Sequence, residues 1–131
     1  METVTIEQLL AGATPNGELY VLRDGSTYLY IGQATRGIYE RWCGWRGRLI
    51  KTDDGGLFSL DTTGQTIIRL LPESLWWELD CYELQDAIDT FRLMDLRRAE
   101  LQRIGSRVMP GMRVSTNSAE RIMIQHLEPC L

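Results

Sequence analysis

The stretch from Glu18 to Gly32 constrains this chain's fold more than any other. Two short runs, Glu18 to Arg23 and Thr27 to Gly32, are rich in Leu, Val, Ile and Tyr and flank Asp24-Gly25. That pattern predicts an antiparallel hairpin, because glycine reaches the positive φ of a tight turn without a Cβ penalty. A lone two-stranded ribbon is marginal in water, so the remaining residues must add strands or cover its faces with helices.

The rest of the chain offers those pieces. Thr5 to Ala11 predicts a short helix, with Thr5 as N-cap and Gly12 just past its end, before a turn at Thr14-Pro15-Asn16-Gly17. Gln33 to Gly37 reads as a loop and Ile38 to about Arg46 as a helix weakened by Gly44. Gly47 to Gly64 is expected to be mostly loop, and the β-branched run Thr66 to Leu71, closed by Pro72, to be a strand. Leu75 to Leu84 alternates, with Leu75, Trp77, Leu79 and Cys81 on one side and Trp76, Glu78, Asp80 and Tyr82 on the other, a strand period. Leu84, Ala87, Ile88, Phe91, Met94, Leu101 and Ile104 recur at helical spacing, which predicts one helix over 85–104, stopped by Gly105. Asn117 or Ser118 would cap a last helix running through His126, ahead of Pro129. The expected fold is α+β: a single domain over 1–131, with a small mixed or antiparallel sheet opened by the hairpin and flanked by helices.

Composition narrows the function classes. With 131 residues the chain can bury a core without staples, and no apolar run approaches a membrane span. The N-terminus lacks the basic and apolar regions of a signal peptide, so a cytoplasmic protein with no membrane partner is expected. Cys43, Cys81 and Cys130 are odd in number and far apart, which argues against a disulfide framework or zinc finger. With His126 the only histidine, any metal must be held by carboxylate and water, favouring Mg²⁺ or Mn²⁺. The net charge is −4, but it is segregated: residues 36–51 sum to +4, residues 92–113 to +4, and residues 52–91 to −8. A locally basic face on an acidic body can still hold phosphates.

The hairpin carries a resemblance. Glu18-Leu19-Tyr20 on its first strand and Tyr30-Ile31-Gly32 on its second resemble the paired triads of the GIY-YIG nucleases. The first triad departs at its glycine, which here is Glu18, and Ile is replaced by Leu19. The family's arginine on the following helix matches Arg41, nine residues after Gly32. Its glutamate opening a later helix, with an apolar residue four on and a proline nine on, matches Glu120, Ile124 and Pro129. The family's asparagine, about three residues past that proline, falls beyond Leu131. The resemblance spans about residues 17–131, with the predicted helix at 85–106 an insertion into the minimal core.

The resemblance implies a metal-dependent DNA endonuclease with Tyr20, Tyr30, Arg41 and Glu120 as catalytic residues. The two tyrosine hydroxyls would hydrogen-bond the attacking water, one of them taking its proton. An unperturbed phenol has a pKa of about 10, so a nearby cation or the metal must assist. Arg41 would fork onto the scissile phosphate, and Glu120 would hold one Mg²⁺ or Mn²⁺. Gly32 and Tyr39 would support the site. Arg36, Trp45, Arg46, Arg48 and Lys51 would bind nucleic acid, the tryptophan by stacking. Tyr28, two residues before Tyr30, is expected on the same strand face.

Each residue also has a plainer reading: strand aromatics for the tyrosines, a solvated helix residue for Arg41, and a dipole-favoured first-turn acid for Glu120. Only their ordered combination outweighs those readings. The arginines of 92–107 fit either a DNA-contacting face or a solvated face paired with the acidic 73–89 stretch. The alternative function is an inactive module of the same fold that binds nucleic acid or protein. In either case a partner chain or oligomer could supply DNA specificity, since no helix-turn-helix or finger is visible.

Overall fold

The computed structural model describes all 131 residues. Its centre is the expected hairpin, β2 (Leu19–Asp24) paired antiparallel with β3 (Thr27–Gln33). Asp24 already pairs with Thr27, so the two-residue turn is Gly25-Ser26, with Gly25 at φ 58°. Two further strands, β1 (Glu2–Thr5) and β6 (Glu78–Tyr82), complete a fully antiparallel sheet in the order β1-β6-β2-β3. β3 is therefore an edge. A separate two-residue ribbon, β4 (Ile50–Lys51) with β5 (Leu57–Phe58), lies within the predicted loop.

Helices cover both faces. On one face α1 (Ile6–Leu10), α2 (Ile38–Cys43) and α3 (Thr62–Arg69) close over Tyr20, Leu22, Trp42, Ile67, Leu79 and neighbours. On the other, α4 (Leu84–Phe91), α5 (Leu93–Arg103) and α6 (Thr116–Leu127) close over Leu19, Val21, Ile31, Tyr82, Leu93 and Met123. The strand alternation decides this split: odd and even residues of β2 feed different cores. The α+β class stands, with the sheet antiparallel throughout. No helix is long and apolar enough to cross a membrane.

Several expectations are corrected. Residues 66–71 are not a strand, for Thr62–Arg69 is helical. The Asp61 side chain accepts from the Gly64 amide at 2.7 Å and starts the helix, and Thr63, Thr66 and Ile67 are buried at helical spacing. The β-branched run misleads because strand propensity is a weak prior against a good N-cap and a buried stripe. α2 stops at Cys43, three residues early, where Gly44 turns extended. The strand predicted from Leu75 starts only at Glu78, because Glu73–Trp76 winds into a 3₁₀ turn held by a Ser74 hydroxyl bond to the Ile67 carbonyl at 2.6 Å. That turn leaves Trp76 exposed, while Trp77 packs into the first core.

The long helix over 85–104 is two helices broken at Arg92, which takes a left-handed φ of 53°. The break re-phases the chain so that Leu93, off the predicted stripe, becomes fully buried while Ile104 is exposed. The last helix is capped by Ser115 rather than Asn117 or Ser118, its side chain accepting from the Ser118 amide. β1 had no signal beyond Val4 and alternating threonines. It pairs Thr3 with Asp80, and the Thr3 hydroxyl donates to Asp80 at 2.7 Å.

Candidate active site

Edge strand β3 carries the site, and a β-bulge sets which side chains it presents. Leu22 pairs with Tyr30 but Arg23 pairs with Tyr28, so Leu29 is an extra residue on β3. The bulge turns Tyr28 to the second core, with Tyr30 packed on the first. The expectation that both share a face fails for this reason.

Tyr30 and Arg41 meet at one cavity of about 380 Å³, closed on its far side by Asp61, Thr62, Thr63 and Thr66 of the α3 N-terminus. Beneath it Tyr20 stacks beside Tyr30, ring centroids 6.2 Å apart, and meets Trp42 edge-on at 5.4 Å. Tyr20 is fully buried, and its hydroxyl has no partner and does not line the cavity. Gly32 explains its position. A Cβ there would land on the Tyr20 hydroxyl, so glycine is required for that ring to lie against β3.

Arg48 takes a place that its sequence surroundings do not announce. Expected on a nucleic-acid surface, it is 4% exposed, and its guanidinium stacks over the Tyr30 ring at 4.4 Å and lies 5.2 Å from that of Trp42. Its Nη2 donates to the Tyr30 hydroxyl at 2.9 Å, and Nη1 lies 3.7 Å from Asp61. Burial opposes its charge, but Tyr20, the Tyr30 bond and Asp61 together outweigh that and hold its pKa above the usual arginine value. No short-range pattern marks a buried arginine. The only hint was its place between Gly47 and Leu49 in a segment otherwise rich in exposed charge.

That hydrogen bond fixes what Tyr30 can do. Its oxygen accepts from Arg48, so its own proton is left to point elsewhere, toward the cavity where an acceptor would sit. Tyr20 is likewise a donor rather than a base: burial pushes its pKa up to about 12, against the opposing pull of Arg48. The folded state keeps this proton between about pH 10 and 12, where the unfolded chain loses it. Stability is therefore unaffected by Tyr20 below about pH 10 and falls as pH climbs through that window. Cys43, pushed to about 11, and Cys81, to about 12, act in the same direction from about pH 9. Urea midpoints should drop between pH 8 and about pH 11, and Tyr20→Phe should lessen the drop. A flat wild-type midpoint would contradict the buried, neutral phenol.

Glu120 lies elsewhere. It sits on α6, against the second face of the sheet, and shares a depression of about 390 Å³ with Gln33, Asn117 and Ile124 rather than the Tyr30 cavity. The Gln33 side chain of β3 donates to Glu120 Oε2 and Asn117 Oδ1, both at 2.6 Å. β3 thus divides the predicted set, with the tyrosines and Arg41 on one side and Glu120 on the other. Nowhere in the chain do three or more His, Cys, Asp or Glu side chains gather as a cation site.

The remaining predicted contacts cluster on α2 and the loop after it. Arg36, Arg41, Trp45 and Arg46 border one depression, and Tyr39, Trp45, Arg46 and Lys51 border the next. Tyr39 therefore lines the neighbouring hollow rather than the Tyr30 cavity. Trp45 is 84% exposed, with the Arg46 guanidinium 4.4 Å over its ring. Arg36, Arg41, Arg46 and Lys51 pair with no carboxylate. The arginines of 92–107 are divided: Arg92 and Arg98 pair with Asp95 and Arg97 with Glu100, which Arg121 also meets, while Arg103 and Arg107 pair with no carboxylate. The carboxylates that are paired come from α5 itself, not from the acidic 73–89 stretch. Compared with family models, with curated proteins and with solved structures, the chain finds no match.

Proposed function

We propose that this chain is a divalent-cation-dependent endonuclease of the GIY-YIG type, hydrolysing DNA phosphodiester bonds in the groove beside β3. The observation that carries the reading is the cavity where the Tyr30 hydroxyl and the unpaired Arg41 face the same space over a stacked Tyr20. Phosphoryl transfer needs mainly positioning and charge stabilisation, and these groups supply both. Arg41 offers a planar fork to the phosphoryl oxygens. Tyr30, its oxygen engaged by Arg48, donates to a phosphoryl oxygen or orients the incoming water. The exposed Trp45–Arg46 pair and the free cations around it suit the flanking strand, by stacking and by phosphate contact.

The cation fits Glu120 by donor type: a partly exposed carboxylate beside the exposed Asn117 amide oxygen suits a hard ion that keeps most of its hydration. Held there, Mg²⁺ or Mn²⁺ would acidify a bound water and polarise a phosphoryl oxygen. Gln33 would orient the carboxylate from β3.

A second reading rests on the same division by β3. With Glu120 bonded to Gln33 in its own depression and the Tyr20 hydroxyl buried, the cavity could serve a module that grips nucleic acid without cutting it. Supercoiled plasmid and branched DNA, incubated with the chain in Mg²⁺, Mn²⁺ or EDTA, separate the two. Metal-dependent nicks support the nuclease. Retarded but uncut DNA in every metal supports the binding module.

A further inference from the structure

Three donors beneath the Tyr30 cavity are buried without a partner: Arg48 Nε, the Tyr20 hydroxyl and Trp42 Nε1. A buried donor left unsatisfied costs about 1–3 kcal/mol. Of the three residues, only Arg48 also lines the cavity, where it faces the first turn of α3.

That turn is the other half of the arrangement. The Gly64 amide is taken by Asp61 Oδ1, but the amides of Thr62 and Thr63 lie at helix positions with no intrahelical acceptor. The Thr66 hydroxyl turns back to the Thr62 carbonyl at 2.9 Å, whereas the hydroxyls of Thr62 and Thr63 make no bond within the chain. Gly64 permits the close approach: a Cβ there would meet the Arg48 carbonyl oxygen at 2.5 Å, so glycine lets α3 begin against the arginine's own backbone. The cavity thus sets helix-start donors and two free hydroxyls opposite two guanidiniums, with Asp61 its only acidic side chain and Leu131 also on its wall.

We propose that Arg41, Arg48, Thr62 and Thr63 form a phosphate-binding site that works without a metal ion. The ligand chemistry is a tetrahedral phosphoryl group, from a strand terminus or an internal diester. Helix N-termini and guanidinium forks favour such an anion by charge and by donor direction. Asp61 holds Arg48 in place and caps α3, and in doing so sets the two halves of the site at a fixed separation. The inference deepens the nuclease reading, since it concerns the same cavity, but it needs no cleavage.

The test is an NMR titration of the full chain in EDTA with inorganic phosphate. It follows the Arg48 Nε–H signal and the Thr62 and Thr63 amides. Saturable shifts at these three groups are expected, with affinity weakened at least several-fold by Arg41→Ala and by Thr63→Val. Neither change removes a core contact that Arg48 makes, so the fold is checked by the unchanged remainder of the spectrum. Tetranucleotides with and without a 5′-phosphate then identify the source: tighter binding of the phosphorylated one indicates a strand end, equal binding an internal diester. Shifts confined to Arg36, Arg46 and Lys51, or affinity indifferent to both variants, overturn the site. Phosphate binding in a protein that never cuts DNA would sink the nuclease reading alone, and cutting without phosphate binding would sink this inference alone.

Discussion

Replacing Arg41 with alanine is expected to lower the single-turnover rate of DNA cleavage roughly 10²–10³-fold, the usual cost of one preorganised charge-stabilising donor. The side chain is exposed on α2, pairs with no carboxylate and faces the cavity with Tyr30, so its loss should leave the fold intact. Affinity for DNA should fall far less, because one phosphate contact among several contributes about one unit of salt slope. Arg41→Lys keeps the charge but not the planar fork, and most of the rate loss should persist. A lysine variant with the wild-type rate would mean that Arg41 acts as a general cation and not as a phosphate clamp.

The largest stability effect is expected far from the cavity, on the second face of the sheet. Asp80 is 6% exposed and takes three bonds: Arg23 Nε at 2.8 Å, Arg23 Nη2 at 3.1 Å and the Thr3 hydroxyl at 2.7 Å. The pair ties β1, β6 and β2 together across the sheet, and Glu78 adds a second carboxylate to Arg23 at 3.2 Å. Arg23→Ala leaves the Asp80 charge buried and without its main partner, which should cost about 3 kcal/mol. For a domain this size that is a fall in Tm of roughly 10 °C. The double change Arg23→Met with Asp80→Leu removes both charges and should recover most of the loss. If the single variant melts with wild type, water reaches Asp80 and the pair is not structural.

How much of this was legible in the sequence depends on range. The hairpin, the Thr5 cap of α1 and the alternation of Leu79 and Cys81 against Asp80 and Tyr82 are set by local chemistry, and the structure follows them. Where neighbours in space decide, the sequence misleads. Thr66 to Leu71 carries strand-like residues, yet Asp61 caps it as a helix that buries Ile67 on Trp42 and its neighbours. The break at Arg92 has no glycine or proline to announce it and exists to seat Leu93 in the second core.

The candidate site divides in the same way. Tyr20, Tyr30 and Gly32 meet because the hairpin register places Gly32 opposite Tyr20, and a register follows from the turn. Arg48 could not be foreseen, because its burial depends on α3, which begins fourteen residues later, with Asp61 as its counter-charge. The bulge at Leu29, which separates Tyr28 from Tyr30, is equally silent in the sequence.

Metal-dependent cleavage needs Glu120 to act with the Tyr30–Arg41 cavity from the other side of β3, and Glu120→Ala isolates that requirement. Cleavage of plasmid DNA by this variant, measured beside wild type in Mg²⁺ and Mn²⁺, is predicted to be lost while DNA retardation is kept. Glu120 belongs to neither core cluster and its carboxylate hydrogen-bonds only Gln33, so the variant should fold. Nicking that survives in Glu120→Ala at the wild-type rate would mean that this carboxylate holds no catalytic cation.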